Sequence, residues 1–358
     1  MTAVHAALTD GALRPELEAY FAERAEAVDR GTADVRDGLR HLADHGLLAH
    51  PDLATNCAVI EGVAHHCLTS AFSAWAHTMV AEYLSLSGSS ALQAELPRLR
   101  RAETIGSTAM APAMQHLVGL ADLGVQFRHD RERYVVDGAV RWASNLFIEG
   151  FLVVVGAAGP DGARAVLAIA SNAPGVHAGE PLELLALGAT RSSSLRFEGV
   201  ALDPSRVVSA DFAPFLRAVK PRFLLLQSSF CLGLARGALD GTQVGLERCF
   251  AAFRSEHDRL SADLQALGAR HRRLIGDLGP TPAVVAHRLE VARMAQRAVD
   301  VELRVAGGGG YRASSSTARR LREAAFLPIQ SPTEGHLLFE LERAAPDEVS
   351  APAAGGAR

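Results

Sequence analysis

From residue 12 to about 103, apolar side chains recur at spacings of three and four. ALRPELEAYFAERAEAV sets Leu13, Leu17, Tyr20 and Phe21 on one stripe, and VRDGLRHLADHGLL repeats it with Val35, Leu39 and Leu42. That period predicts amphipathic helices. The stretch CAVIEGVAHHCLTSAFSAWAHTMVAEYLSL is apolar all round, which predicts a helix buried on every side. Near residue 104 the texture changes. VQFRHD, RYVVDG, FLVVVGAAG, RAVLAIAS and SSLRFEGVAL are short, rich in β-branched residues and separated by Asp-Gly, Gly-Pro and Asn-Ala-Pro turns. This spacing predicts an antiparallel sandwich or barrel. Beyond Pro214 the helical pattern returns and lasts to about 343, broken at LGPTP, at AGGGGY and at Pro328 and Pro332. The pattern is therefore α+β. A helical domain is expected over 1–103, a β-domain over 104–210, a four-helix-type bundle over 211–345 and a disordered tail over 346–358.

The glycines of AGGGGY mark a helix end, because glycine costs about 1 kcal/mol against alanine in a helix interior. The run itself leaves open a linker, a C-cap or a close backbone approach to a ligand.

Composition narrows the class. With 358 residues, 48% hydrophobic and 21% charged, the chain resembles an ordinary globular protein. A formal net charge of −4 without a basic block gives no reason to expect nucleic acid or an acidic membrane surface. The start MTAVHAALTDGALRPELEAY lacks a basic segment followed by an apolar run, and no stretch reaches the ~20 apolar residues of a membrane span. Four cysteines (Cys57, Cys67, Cys231, Cys249) with no close-spaced pair predict reduced thiols and a cytoplasmic setting. His65, His66 and Cys67 are adjacent, and successive helical positions point to different faces, so no metal site is expected there. No G-x-S-x-G hydrolase signature is present.

Three stretches carry a family resemblance. VVDGAVRWASNLF (135–147) resembles the "nGxKxWxSN" strand pair of the acyl-CoA dehydrogenase superfamily. LGATRSSSLRFEGVALDPSRVV (187–208) resembles its "G.R.S.t..l.F..V.VP...v" segment, and GGGGYRASSSTARRLREA (307–324) its "GG.GY.....xxRxxRDA". The resemblance implies an FAD-dependent flavoprotein, a homodimer or homotetramer, with the flavin between the β-domain and the C-terminal bundle. It implies an acyl thioester substrate, carried by CoA or an acyl or peptidyl carrier protein, lying across the flavin face.

Carried over residue by residue, Trp142, Ala143 and Ser144 take the flavin-facing strand. A flat indole suits the ring, and a hydroxyl or backbone N–H can meet the negative charge that develops on reduction. Met110 lies in STAMAPAMQH, read as a loop, where the family has "TEPxxGSD", so this chain departs from the pattern there. Arg254 lies near the family's "RxxFG", whose forked guanidinium reaches the FAD diphosphate of the neighbouring subunit, but the Phe-Gly is absent here and a solvated helix-face arginine fits as well. Gly307, Gly308 and Gly310 fit the turn whose bare backbone lets the diphosphate and adenosine end approach from a partner subunit.

The family's reaction needs a carboxylate to take the α-proton. The position that usually supplies it is Ser331 here, and the alternative position on an earlier bundle helix is Pro221. Glu334 follows three residues after Ser331, on about the same face of a helix, and is a candidate displaced base. The alternative is that it caps the final helix, since Thr333 and Glu334 fit an N-terminal turn after Pro332. Three functions are consistent with this: an acyl-CoA dehydrogenase-like oxidoreductase, a flavin monooxygenase or other non-dehydrogenating flavoenzyme on the same fold, and a degenerate subunit or scaffold.

Overall fold

The structure is a computed structural model and describes residues 8–9, 12–246 and 251–344. The tail over 346–358 and Cys249 lie outside the described residues. The described residues open with two short paired strands, β1 (Leu8–Thr9) and β2 (Ala12–Leu13), in a region whose sequence predicts helix. Six helices follow: α1 (Pro15–Asp29), α2 (Arg36–Asp44), α3 (Leu53–His66), α4 (Leu68–Ser85), α5 (Ser90–Gln93) and α6 (Leu96–Arg100). The long apolar stretch forms two helices rather than one. Cys67 takes an extended conformation (φ −150°, ψ 105°), ends α3, and accepts from the Ser70 amide at the start of α4. No glycine or proline marks that break.

The β region holds β3 (Ile105–Ala109), β4 (Val125–Asp130), β5 (Arg133–Ala143), β6 (Phe151–Ala158), β7 (Arg164–Ala170), β8 (Val176–Ala178), β9 (Ser193–Leu202) and β10 (Val207–Ser209). They form one sheet in the order β10-β7-β6-β4-β5-β9-β8, with β3 also paired to β6. The expected antiparallel pattern is broken in two places. β3 runs parallel to β6 over its full length, and β4 meets β6 in a single parallel pairing. β3 arrives from the helical region and enters the sheet beside α4. Gly106 makes this possible, because a Cβ there would sit 2.8 Å from Val80 Cβ and 2.9 Å from the His77 carbonyl. The 107–116 stretch, expected as a loop, completes β3 and then forms α7 (Ala111–Leu117), with Pro112 in its first turn.

The C-terminal part contains α8 (Phe212–Leu246), α9 (Arg254–Asp277), α10 (Thr281–Gly310), α11 (Ser316–Ala324) and α12 (Glu334–Ala344). The regular course of α10 breaks at Gly307, where φ is +57° and ψ −147°, a conformation few side-chain-bearing residues adopt. The described residues bury two apolar cores. One runs through the helices from Leu17 to Leu337, and the other lies on the sheet around Val153, Leu167 and Phe197.

Candidate functional site

A cavity of about 680 Å³ opens where the end of β5 meets the helices. One wall is the strand end, with Trp142, Ala143 and Ser144, together with Thr108 and Ala111 from the β3–α7 corner. The facing wall is helical, with Phe72 and Trp75 from α4, Phe223 from α8, and Gln330 and Ser331 from the segment before α12.

The strand wall is firmly held. Ser107 Oγ donates to the Ser144 carbonyl at 2.7 Å, and the Ser144 and Ser192 hydroxyls pair at 2.8 Å. Asn145 follows in the left-handed conformation, φ +63°, fully buried. Its side chain accepts from Ser73 Oγ at 2.7 Å and donates to the carbonyls of Ser73 at 2.9 Å and Gly106 at 3.0 Å. One amide thus ties β5 to α4 and to β3. Its part in holding the site has no signal in the sequence beyond its place at the end of WASN. Trp142 is 47% exposed, so its ring is a presented face and not a core aromatic.

The helical wall has an aromatic backing. Phe72 stacks on Trp75 with centroids 5.2 Å apart, Trp75 meets Phe223 edge-on at 5.1 Å, and Phe326 meets Phe72 edge-on at 5.0 Å. Behind it lies a buried polar network. Arg288 is fully buried and donates to Gln227 Oε1 at 3.2 Å, to Gln330 Oε1 at 2.9 Å and to the Leu327 carbonyl at 3.4 Å. Gln227 in turn donates to the Ser331 carbonyl at 2.9 Å. Beyond it, His271 and His287 contact each other at 3.2 Å, and burial pushes each down to about 3, so both are neutral.

The other expected residues fall elsewhere. The Met110 side chain is buried in the helical core, and the cavity is met by its neighbours Thr108, Ala111 and Pro112. Arg254 is exposed at the start of α9, outside the cavity lining. Gly307 and Gly308 are exposed with open space where a Cβ would stand, while Gly310 is buried against Ala306 and Thr317. None of the three lines the cavity. Ser331 does, and its hydroxyl is buried without a hydrogen-bond partner. Glu334 is absent from the lining and takes both Nε and a terminal nitrogen of Arg293, at 2.9 and 2.5 Å. It occupies the first turn of α12, where Thr333 Oγ1 accepts from the His336 amide. That is the capping arrangement.

Adjacency does not separate His65 and His66: both lie in the last turn of α3, and their rings stack at 4.5 Å. With Glu18 they bring three possible ligand atoms within 4.8 Å of one another. His65 already bonds Asp240 at 2.7 Å, and burial pushes His66 down to about 4.

No family model matches the chain, and no curated protein matches it in sequence. Solved structures do match it in fold. The acyl-CoA dehydrogenase from Geobacillus kaustophilus superposes with a TM-score of 0.80 at 18% identity, over 93% of this chain and 98% of that one. A glutaryl-CoA dehydrogenase from Mycobacterium smegmatis in complex with FADH2 gives 0.80 at 15% identity, over 92% of each chain. The prolyl acyl carrier protein oxidase AnaB gives 0.80 at 15% identity, over 92% of this chain and 97% of that one. With N-terminal helices, a central sheet and a C-terminal helical region, as in these structures, the chain has the acyl-CoA dehydrogenase fold.

Proposed function

We propose that this chain is an FAD-dependent oxidoreductase acting on an acyl thioester carried by CoA or by an acyl or peptidyl carrier protein. The observation that carries the reading is the two-walled cavity, with Trp142, Ala143 and Ser144 facing the Gln330–Ser331 segment. The solved structures of the same fold, one in complex with FADH2 and one an acyl carrier protein oxidase, support it.

The residues present fit a flavin ring. About 680 Å³ lies within the roughly 300–1,000 Å³ of organic-ligand sites. Trp142 offers a half-exposed aromatic face, and the Thr108 and Ser144 hydroxyls supply polar edges. Bound there, FAD would supply a hydride acceptor and, once reduced, a source of electrons. Ser144 would hold the ring edge where negative charge develops, its hydroxyl kept in place by Ser192. Phe72, Trp75 and Phe223 would keep water from the reacting face. Arg254 and the exposed Gly307 and Gly308 would meet the diphosphate and adenosine end in a homodimer or homotetramer.

A specific observation favours a second reading of the chemistry. Among the described residues that line the cavity, the one carboxylate is Asp122, exposed on the approach to β4. The segment facing the strand end presents Ser331, and Glu334 is engaged by Arg293. This suits flavin chemistry that does not begin with a carboxylate removing an α-proton, such as oxygenation by a reduced flavin. Anaerobic addition of acyl thioesters to the FAD-loaded protein separates the two. Bleaching of the flavin supports dehydrogenation. Oxygen uptake that depends on a flavin reductase, without anaerobic bleaching, supports oxygenation. Failure of both across a broad thioester panel would overturn the enzymatic reading in favour of a scaffold.

A further inference from the structure

The helical wall of the cavity holds a cluster of hydrogen-bond donors with nothing to donate to. Trp75 is 3% exposed and Gln330 4% exposed, both line the cavity, and Trp75 Nε1 and Gln330 Nε2 have no partner. The Ser331 hydroxyl, also in the lining, is the third. Buried donors left unpaired cost stability and are uncommon in native proteins, so a cluster of three on one wall asks for an acceptor.

The orientation of Gln330 is fixed by chemistry. Arg288 can only donate, so the Gln330 oxygen must face it, which turns the Gln330 NH2 away from the guanidinium. The same logic holds for Gln227, whose oxygen faces Arg288 Nε and whose NH2 occupies the Ser331 carbonyl. Ser331 is left with its hydroxyl free. Arg288 therefore sets the donor face of the wall from one layer behind it.

Charge selects the kind of acceptor. Arg288 is fully buried, donates to two amide oxygens and one backbone carbonyl, lies over the Phe230 ring at 5.9 Å, and has no hydrogen-bond partner at NH1. Among the described residues it makes no ion pair with a carboxylate. A buried cation without a counter-ion is costly, and an anion in the neighbouring cavity would offset that cost. Packing selects further: the rings of Phe72, Phe223 and Phe326 crowd against Trp75 and one another at this wall, which favours a short acyl group over a long one.

From this juxtaposition we infer that Trp75, Gln330 and Ser331, backed by Arg288, form a recognition site for a carboxylate on a short acyl group. The substrate class is then a short dicarboxylic acyl thioester, and the inference rests on the thioester reading given above. Trp75, Gln330 and Ser331 are specificity-determining residues, and Arg288 is a positioning residue that acts through Gln330.

The test is calorimetric binding to the FAD-loaded protein. The probes are malonyl, succinyl, butyryl and octanoyl thioesters of phosphopantetheine, the arm that CoA and carrier proteins share. Succinyl or malonyl should bind at least about tenfold tighter than butyryl, and octanoyl no tighter than butyryl. Gln330→Leu and Trp75→Phe should each cut the dicarboxylate preference to about threefold or less. Arg288→Met should do the same. Should it fail to fold, Gln330→Leu and Trp75→Phe, which keep the guanidinium in place, carry the test. Butyryl binding as tightly as succinyl, or variants that keep the preference, would overturn this inference and leave the thioester reading standing. No binding by any of the four thioesters to a protein that holds FAD would overturn both.

Discussion

Asn145 offers a quantitative check on how the cavity's strand wall is held. Asn145→Ala removes three buried side-chain hydrogen bonds, one from Ser73 Oγ and two to the carbonyls of Ser73 and Gly106. At about 1 kcal/mol each, they account for about 3 kcal/mol. Alanine must also adopt φ +63°, which adds about 1 kcal/mol. The expected loss is about 4 kcal/mol, the sum of these two contributions. Asn145→Gly loses the same bonds but accepts the left-handed backbone, so it should be less damaging than alanine by about 1 kcal/mol. Urea unfolding followed by circular dichroism measures both. Because Ser144 precedes Asn145 directly, flavin affinity should fall in the same order. An alanine variant within about 1 kcal/mol of the parent, or a glycine variant worse than alanine, would refute the reasoning.

Glu323 gives a pH test. It is 1% exposed, accepts from the Leu68 amide at 3.2 Å and stands 3.8 Å from Arg319, too far for a close charged hydrogen bond. Burial pushes its carboxyl up to about 7. A raised folded-state value means the contribution of Glu323 is fully present below about pH 4.5 and lost as pH rises through about 7. Glu323→Gln should therefore gain on the parent in thermal midpoint between about pH 5 and pH 8, and parallel profiles would contradict this. At Glu334, the partly exposed pair with Arg293 predicts that Glu334→Gln changes stability by at most about 1 kcal/mol. Turnover should stay within about twofold, and its abolition would restore Glu334 as the base.

The order of elements was legible because the hydrophobic period itself changes near residues 104 and 214, and the strand end around Trp142 was legible as a local motif. What escaped depends on partners distant in sequence or on unpunctuated breaks. Asn145 acts through Ser73 and Gly106, 72 and 39 residues away, so WASN alone does not reveal its work. The break at Cys67 has no glycine or proline, so the sequence predicts one helix where α3 and α4 stand. α7 carries its own start signal in Pro112, which the resemblance to a family loop masks. Two-residue strands such as β1 and β2 are too short to show a period. The unpaired donors at Trp75, Gln330 and Ser331 have no sequence signature at all. They look like core or turn residues until the wall behind them is seen.

The central claim is that the cavity beside Trp142 holds FAD, and titration of the purified protein with FAD, read by flavin fluorescence, tests it most directly. The account predicts saturable, stoichiometric quenching, weakened by about tenfold or more in Trp142→Ala as the ring loses its aromatic face. A colourless protein that leaves the fluorescence of added FAD unchanged would contradict it.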